Sequence, residues 1–331
     1  MAQYATDDLA SIFAEFEETP VAAASLAQVH FARTNSQHGS RPVAVKVQYP
    51  GLARQVRGDL WTMKFVTAAV GILFPEYQYS WLLPEFEKVA KEELDFLNEA
   101  CNSIRTKKLF SNEKDVYVPE VYLDISTERV LVMEWIEGAR VNDIQTITNW
   151  RFSTANIAGT IYKIFGDMIY VHGFIHCDPH PGNLMVRPDP LNHQDYQVVI
   201  LDHGMYREVS NSFRVAYCTL WKSLITNDLS TGRAAVATMG MSPDTYELLS
   251  LILTFRLAGS ATKLGERMAK AERQQLRERF RGTSLADVNN FLEGLPRDFL
   301  FVLRSTNIIR SLSKDLGGTS KERFLSMANS A

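Results

Sequence analysis

Three cysteines in 331 residues, Cys101, Cys177 and Cys218, are too few for a disulfide framework, and their spacing matches no zinc pattern. Their expected state is reduced, as in an intracellular or organellar compartment. Positive charge is not in excess: 35 Lys and Arg stand against 38 Asp and Glu, a net charge of −3. The basic footprint of a nucleic-acid-binding domain is therefore missing. Long apolar runs are missing too. The longest, FVTAAVGILF at 65–74, is well short of the ~20 residues that span a bilayer, and it reads as a buried helix segment. The acidic start, MAQYATDDLASIFAEFEE, has neither the apolar core of a signal peptide nor the arginines of a transit peptide. No internal repeat or low-complexity tract occurs. What remains is a chain with 46% hydrophobic residues, long enough for two lobes and a large core.

The densest chemistry lies in HCDPHPGNLMV, residues 176–186, and LDHGMY, residues 201–206. His176, Asp178 and Asn183 have the H-x-D-x-x-x-x-N spacing of a kinase catalytic loop. Asp202 opens a D-x-G triplet after the short apolar strand VVIL. Phosphoryl transfer needs one carboxylate near the attacking hydroxyl, and a second carboxylate with an amide oxygen on magnesium. Asp178, Asp202 and Asn183 supply that set in the right chain order. A zinc site built on His176, His180 and His203 would leave Asn183 and Lys46 unexplained, and His176 reads instead as a brace for the backbone. Pro179, Pro181 and Gly182 stiffen the loop.

Lys46 sits in V-A-V-K, an alternating strand at 43–51. Taken alone, such a lysine is an ordinary solvated residue. Between a loop and a glutamate-rich helix it reads as the lysine that grips the α- and β-phosphates. Its carboxylate partner comes from KEELDFLNEA, which offers Glu92, Glu93, Asp95 and Glu99. Glu93 and Asp95 cannot both face Lys46, because i and i+2 point apart on a helix; Glu93 is the expected partner. Residues 21–25, VAAAS, stand where a kinase carries its glycine-rich loop. Alanine resists the positive φ that glycine allows, so this cover is stiffer than a glycine loop.

The order of elements is loop, lysine strand, helices over 52–110, a strand pair over 118–138, a helix over 153–173, the catalytic loop, two short strands and then helices. That order predicts an α+β, protein-kinase-like two-lobe fold: a small β-rich N-lobe at 1–140 with inserted helices, and a large helical C-lobe at 141–331. After Gly204 the chain has no A-P-E element and no activation loop, which argues against a peptide-substrate platform.

With these motifs, AAASLAQVH, VAVKVQYPG, ELDFLNEA, HCDPHPGN and LDHG, the chain resembles the UbiB (aarF-domain, ABC1) family of atypical kinases, in its mitochondrial D-H-G branch. The resemblance runs from residue 20 to about 206. It implies that Ala22, Ala23, Ala24 and Ser25 form the alanine-rich nucleotide loop, that Lys46, Glu134 and Ile136 contact nucleotide, and that Glu93 with Asp95 forms the E-x-D element. Asp178 is then the catalytic-loop aspartate, and Asn183 and Asp202 are the magnesium ligands. The family also implies ATP or ADP as ligand and an inner-membrane-associated role in mitochondrial lipid or coenzyme Q homeostasis. A lipid or membrane surface and unidentified proteins are the implied partners. Family members carry a K-x-G-Q motif upstream of the alanine loop. This sequence starts after that point, so the expectation is a fragment or a more open site in which Glu99, which resembles that lysine's partner, is unpaired.

Three readings follow: a Mg-dependent phosphotransferase or ATPase, a pseudokinase-like scaffold whose nucleotide state controls lipid or protein contacts, and a small-molecule kinase of the choline or aminoglycoside type. Intact Asp178, Asn183, Asp202 and Lys46 favour the first.

Overall fold

The computed structural model describes residues 6–24, 26–74, 83–254 and 293–319, with single positions 256, 274 and 291 besides. By internal contact the chain divides into two compact units. The first combines Met1–Arg140 with Gly182–Met205; the second combines Val141–Pro181 with Tyr206–Ala331.

The first unit starts with α1 (Thr6–Ile12) and β1 (Phe13–Phe16). β2 (Ala22–Ala23), β3 (Ala27–Thr34), β4 (Pro42–Gln48) and β6 (Val130–Glu134) join β1 in an antiparallel sheet of order β1-β3-β4-β6, with β2 on β3. Strand alternation puts Val43 and Val45 on one face and Ala44 and Lys46 on the other. The first pair packs with Phe13, Ala32, Val130 and Val132. On the opposite face Ala44 packs with Leu131 and Met133 against Phe96 and Ala100 of α4 (Phe96–Leu109). α2 (Leu52–Leu73) and α3 (Leu83–Glu93) precede α4. A second sheet of order β5-β10-β9-β7 comprises β5 (Val116–Tyr117), β7 (Ala139–Arg140), β9 (Leu184–Pro188) and β10 (Tyr196–Ile200).

Two expectations change here. The strand pair over 118–138 is reduced to β6 and two isolated bridges, Val121 to Met133 and Thr127 to Val130, because the partner segment curls into a turn at Leu123–Ile125. Pro119 has no N–H to donate to a ladder. The Ser126 hydroxyl replaces a strand by donating to the Tyr122 carbonyl at 2.7 Å and accepting from Val132 N at 3.0 Å. The apolar run 65–74 is also not buried. Leu52 is the only buried residue of α2, while Phe65, Ile72 and Leu73 are 64%, 80% and 71% exposed.

The second unit is mostly helical. α5 (Ile144–Asn149) leads to α6 (Thr154–Gly166), which Ser153 caps by accepting from Asn156 N. After a wider turn at Asp167–His172, Gly173 takes φ 62°, which frees the chain to leave the helix. It enters β8 (Phe174–His176), which pairs antiparallel with β11 (Tyr206–Glu208). α7 (Asn211–Thr226), α8 (Leu229–Thr238), α9 (Thr245–Thr254) and α10 (Arg297–Asp315) follow. Tyr217 and Trp221 of α7 and Phe299 of α10 are fully buried together.

Candidate active site

Lys46 leaves β4 on the face that meets α4. Its Nζ lies 2.7 and 2.9 Å from Glu99 Oε1 and Oε2, and 2.8 Å from Asp202 Oδ2. It also sits 5.1 Å from the centre of the Phe96 ring. The expected Lys46–Glu93 pair is therefore replaced by Lys46–Glu99, and Glu99 has a partner. The cause is a helix break that the apolar pattern conceals. A continuous helix would put Glu93 in phase with Phe96 and Ala100. Instead α3 ends at Glu93, and the Asp95 carboxylate accepts from Leu97 N and Asn98 N at 3.0 and 3.3 Å to start α4. Gln48 Nε2 holds the kink by donating to the Leu94 carbonyl at 2.6 Å. The new helix presents Phe96, Glu99, Ala100 and Ser103 as one buried stripe.

The three charges form a buried trio of one cation and two carboxylates. Burial pushes the Lys46 amine down, but Glu99 and Asp202 outweigh it, and the amine stays protonated above its ordinary range. Burial pushes Glu99 up to about 7; Lys46 pulls against this, and the Asp202 charge adds to it. Such a trio positions its members more than it stabilises the fold, because desolvation offsets much of the attraction.

Asp202 follows β10, and its Oδ1 accepts from Gly204 N at 3.0 Å. A Cβ at Gly204 would lie 3.3 Å from that oxygen, so a side chain there would crowd the carboxylate. His203 is buried, with its Nε2 at 3.2 Å from the Ile200 carbonyl, and its own carbonyl accepts from Asn102 Nδ2 at 3.0 Å. Asn183 stands at the same end of the β9–β10 hairpin, where its carbonyl accepts from Leu201 N at 2.9 Å. Asp202 keeps a third of its side chain exposed. A part-exposed Asp carboxylate and an Asn amide oxygen fit magnesium, which binds few protein oxygens and completes its shell with water and phosphate. No group of three or more His, Cys, Asp or Glu suited to a metal occurs among the described residues, and the imidazoles of His176 and His203 are engaged with backbone.

In the alanine segment, Ala22 pairs with Val29 and Ala23 with Gln28, and Ala24 N donates to the Ala27 carbonyl at 2.8 Å. It is a strand turn, with no positive φ at Ala22–Ala24. Ser25 lies outside the described residues. Glu134 ends β6, and its carboxylate accepts from the Tyr117 hydroxyl at 2.6 Å; Ile136 is buried just beyond.

Asp178 belongs to the second unit. His176, fully buried, accepts from Asp178 N through Nδ1 at 3.1 Å and so braces the loop. The Asp178 carboxylate is held by Arg304 Nη2 at 3.2 Å. Arg304 lies 126 residues away, and nothing in the local sequence pattern singled it out. Cys177 is no rival nucleophile: burial pushes its thiol up to about 12.

The ABC1 atypical kinase-like domain profile matches residues 1–235, over two-thirds of the chain. The chain belongs to that family. It is 36% identical to AarF domain-containing protein kinase 1 of Xenopus laevis, over 94% of this chain and 59% of that protein. It is 34% identical to a probable serine/threonine-protein kinase, abkD, of Dictyostelium discoideum, over 96% of this chain and 45% of that protein. The chain thus spans about half to three-fifths of the length of these ABC1 relatives. Among solved structures, the Rv3197–erythromycin complex from Mycobacterium tuberculosis matches with a TM-score of 0.66 and 22% identity, over 96% of this chain and 77% of that one. The fold is α+β and kinase-like.

Proposed function

We propose that this ABC1-family chain binds ATP or ADP with magnesium and acts as an atypical phosphotransferase or ATPase. The observation that carries the reading is Lys46 held at 2.7–2.9 Å by both Glu99 and Asp202. That arrangement supplies the lysine–helix-carboxylate pair that kinase catalysis requires, and it brings the D-x-G aspartate beside the same lysine. In this reading residues 1–140 are the N-lobe and 141–331 the C-lobe. Ala22–Ser25 cover the phosphates, the chain at Glu134 and Ile136 borders the base, and Asn183 and Asp202 hold magnesium. The metal would neutralise charge on the phosphates. Asp178, five residues before Asn183 on the same loop, accepts the proton of the attacking hydroxyl.

The chemical test pairs two variants. Asp202→Asn removes the one anionic metal ligand assigned, and should abolish most of the thermal shift produced by Mg-ATP. Asp178→Asn should keep that shift but cut phosphate release by roughly 10²–10⁴, the usual worth of a positioned general base. Equal turnover in Asp178→Asn and wild type would favour the scaffold reading, in which nucleotide state controls lipid or protein contacts.

The proposal extends to a membrane-linked setting in mitochondria, in lipid or coenzyme Q homeostasis. No helix among the described residues is long and apolar enough to cross a membrane. Support for a surface contact comes from α2. Trp61 and Phe65 stack at 6.0 Å and are 69% and 64% exposed, and no charged residue occurs from Phe65 to Phe74. Arg54, Arg57 and Lys64 precede this stretch, opposed on the helix only by Asp59. An apolar end with aromatic side chains and a basic flank fits an anionic lipid surface.

A further inference from the structure

Lys46 has no donor to spare. Its ammonium carries three, and all three meet carboxylate oxygens: two of Glu99 at 2.7 and 2.9 Å and one of Asp202 at 2.8 Å. A phosphate oxygen can therefore reach this lysine only by replacing one of them. Lys46, Glu99 and Asp202 all belong to the first unit.

The two carboxylates are not equally able to leave. The Glu99 side chain is 3% exposed and holds Lys46 with both oxygens. Parting them would leave a bare charge in the interior, which is strongly unfavourable. The Asp202 side chain is 33% exposed and gives Lys46 one oxygen, while the other accepts from Gly204 N at 3.0 Å. Water or a metal ion can take up its charge. The backbone around it is pinned to α4: Asn102, three residues beyond Glu99, donates to the His203 carbonyl at 3.0 Å. At Gly204 the chain runs so close to α4 that a Cβ would lie 3.7 Å from Glu99 Oε2. The part that can yield is thus the Asp202 side chain. Its charge has opposite effects on two ligands. Toward magnesium it is an anionic ligand. Toward a phosphate that arrives without metal it is a like charge, and it holds the lysine that the phosphate needs.

We propose that Asp202 is a latch on Lys46, released when Asp202 takes up magnesium. The inference rests on the nucleotide-binding reading above and adds a means of regulation at that site. On binding the metal, the Asp202 carboxylate leaves Lys46. The freed donor of Lys46 turns to the phosphate oxygens, and Glu99 keeps the other two donors in place. Nucleotide without metal meets an engaged lysine beside an uncompensated carboxylate, and it binds poorly. The site thereby selects the magnesium complex over free nucleotide, and the coupling between metal and nucleotide runs through one side chain.

The test is calorimetric titration of ADP, with magnesium and with EDTA in its place. Wild type, Asp202→Ala, Lys46→Gln and the double variant are compared, with melting temperature as a control for folding. The expected result is that Asp202→Ala binds metal-free ADP at least about fivefold tighter than wild type, the low end of ordinary coupling between two ligands. Its affinity for ADP with magnesium should fall toward that same value. The metal-free gain should vanish in the Lys46→Gln background, because Lys46 is the group set free. Asp202→Asn, which keeps the shape and loses the charge, carries the test if the alanine variant does not fold. A metal-free affinity that does not rise, or a gain that survives Lys46→Gln, would overturn the proposal. So would wild type that binds ADP equally well with and without magnesium, whatever the variants do. Wild type that binds ADP in neither condition would overturn the nucleotide-binding reading itself, and this inference with it.

Discussion

At the scale of residues, the Lys46–Glu99–Asp202 trio has a consequence in pH. In the unfolded chain Glu99 loses its proton near 4.5; in the fold, burial and Asp202 delay this to about 7. Between those values the native state holds a proton that the unfolded state has released, so this group makes stability fall as pH rises. Glutamine at 99 carries no such proton. Glu99→Gln should therefore gain on wild type progressively from about pH 4.5 to 7, with no comparable trend in Glu93→Gln. Urea melts of the three proteins across that interval measure it. A constant gap between Glu99→Gln and wild type would mean that Glu99 is ionised throughout. The result would also separate the two glutamates chemically, since only Glu99 touches Lys46.

Among the elements, α2 departs furthest from an ordinary surface helix. With 22 residues it is about 33 Å long at 1.5 Å per residue. Trp61, Phe65 and Ile72 fall within about 40° of one line along it at 100° per residue. Lys64 fixes the helix to α3 by pairing with Glu87 at 2.7 Å, and the apolar line stays exposed. If that line enters a lipid surface, each large side chain contributes about 1.5–3 kcal/mol. The triple variant Trp61→Ser, Phe65→Ser, Ile72→Ser should then lose at least about 100-fold in partition to anionic vesicles, read by co-sedimentation. Added salt should weaken the wild type, because Arg54, Arg57 and Lys64 contribute a screened attraction. A variant that sediments like wild type would remove the lipid assignment. A variant that instead changes oligomeric state would assign the face to a second copy of the chain.

For the whole molecule, connectivity matters more than the midpoint of the sequence suggests. The first unit is discontinuous: Gly182–Met205 returns to it after Val141–Pro181 has built part of the second. β10 runs parallel to β5 and antiparallel to β9, while β7 is held by β9. A fragment of residues 1–140 therefore loses the two central strands of the second sheet and Asp202 with them. We expect it to show no cooperative thermal transition and no Mg-nucleotide shift, whereas the full chain shows both. A cooperative, nucleotide-responsive fragment would mean that the first sheet with α4 is self-sufficient. Interior strands missing from a sheet leave unpaired backbone groups and an exposed apolar face, and both are costly.

The sequence by itself determined what depends on short-range spacing. H-x-D-x-x-x-x-N fixes Asp178 and Asn183 on one loop, alternation in V-A-V-K fixes the face from which Lys46 projects, and the order of strands and helices fixes the α+β class. Tertiary structure decided whatever depends on a break in a period or on distant chain. Glu99 replaced Glu93 because one N-cap, Asp95, reset the helical phase, although the D-F-L-N-E signature and the Phe96, Glu99, Ala100 stripe were there to be read. The 65–74 run is exposed because hydrophobicity records a preference for burial and not whether a partner surface exists. Arg304 reached Asp178 only through the packing of α10 on β8 and β11. No local pattern encodes a contact between side chains 126 residues apart, because it arises when two independently formed elements share a core.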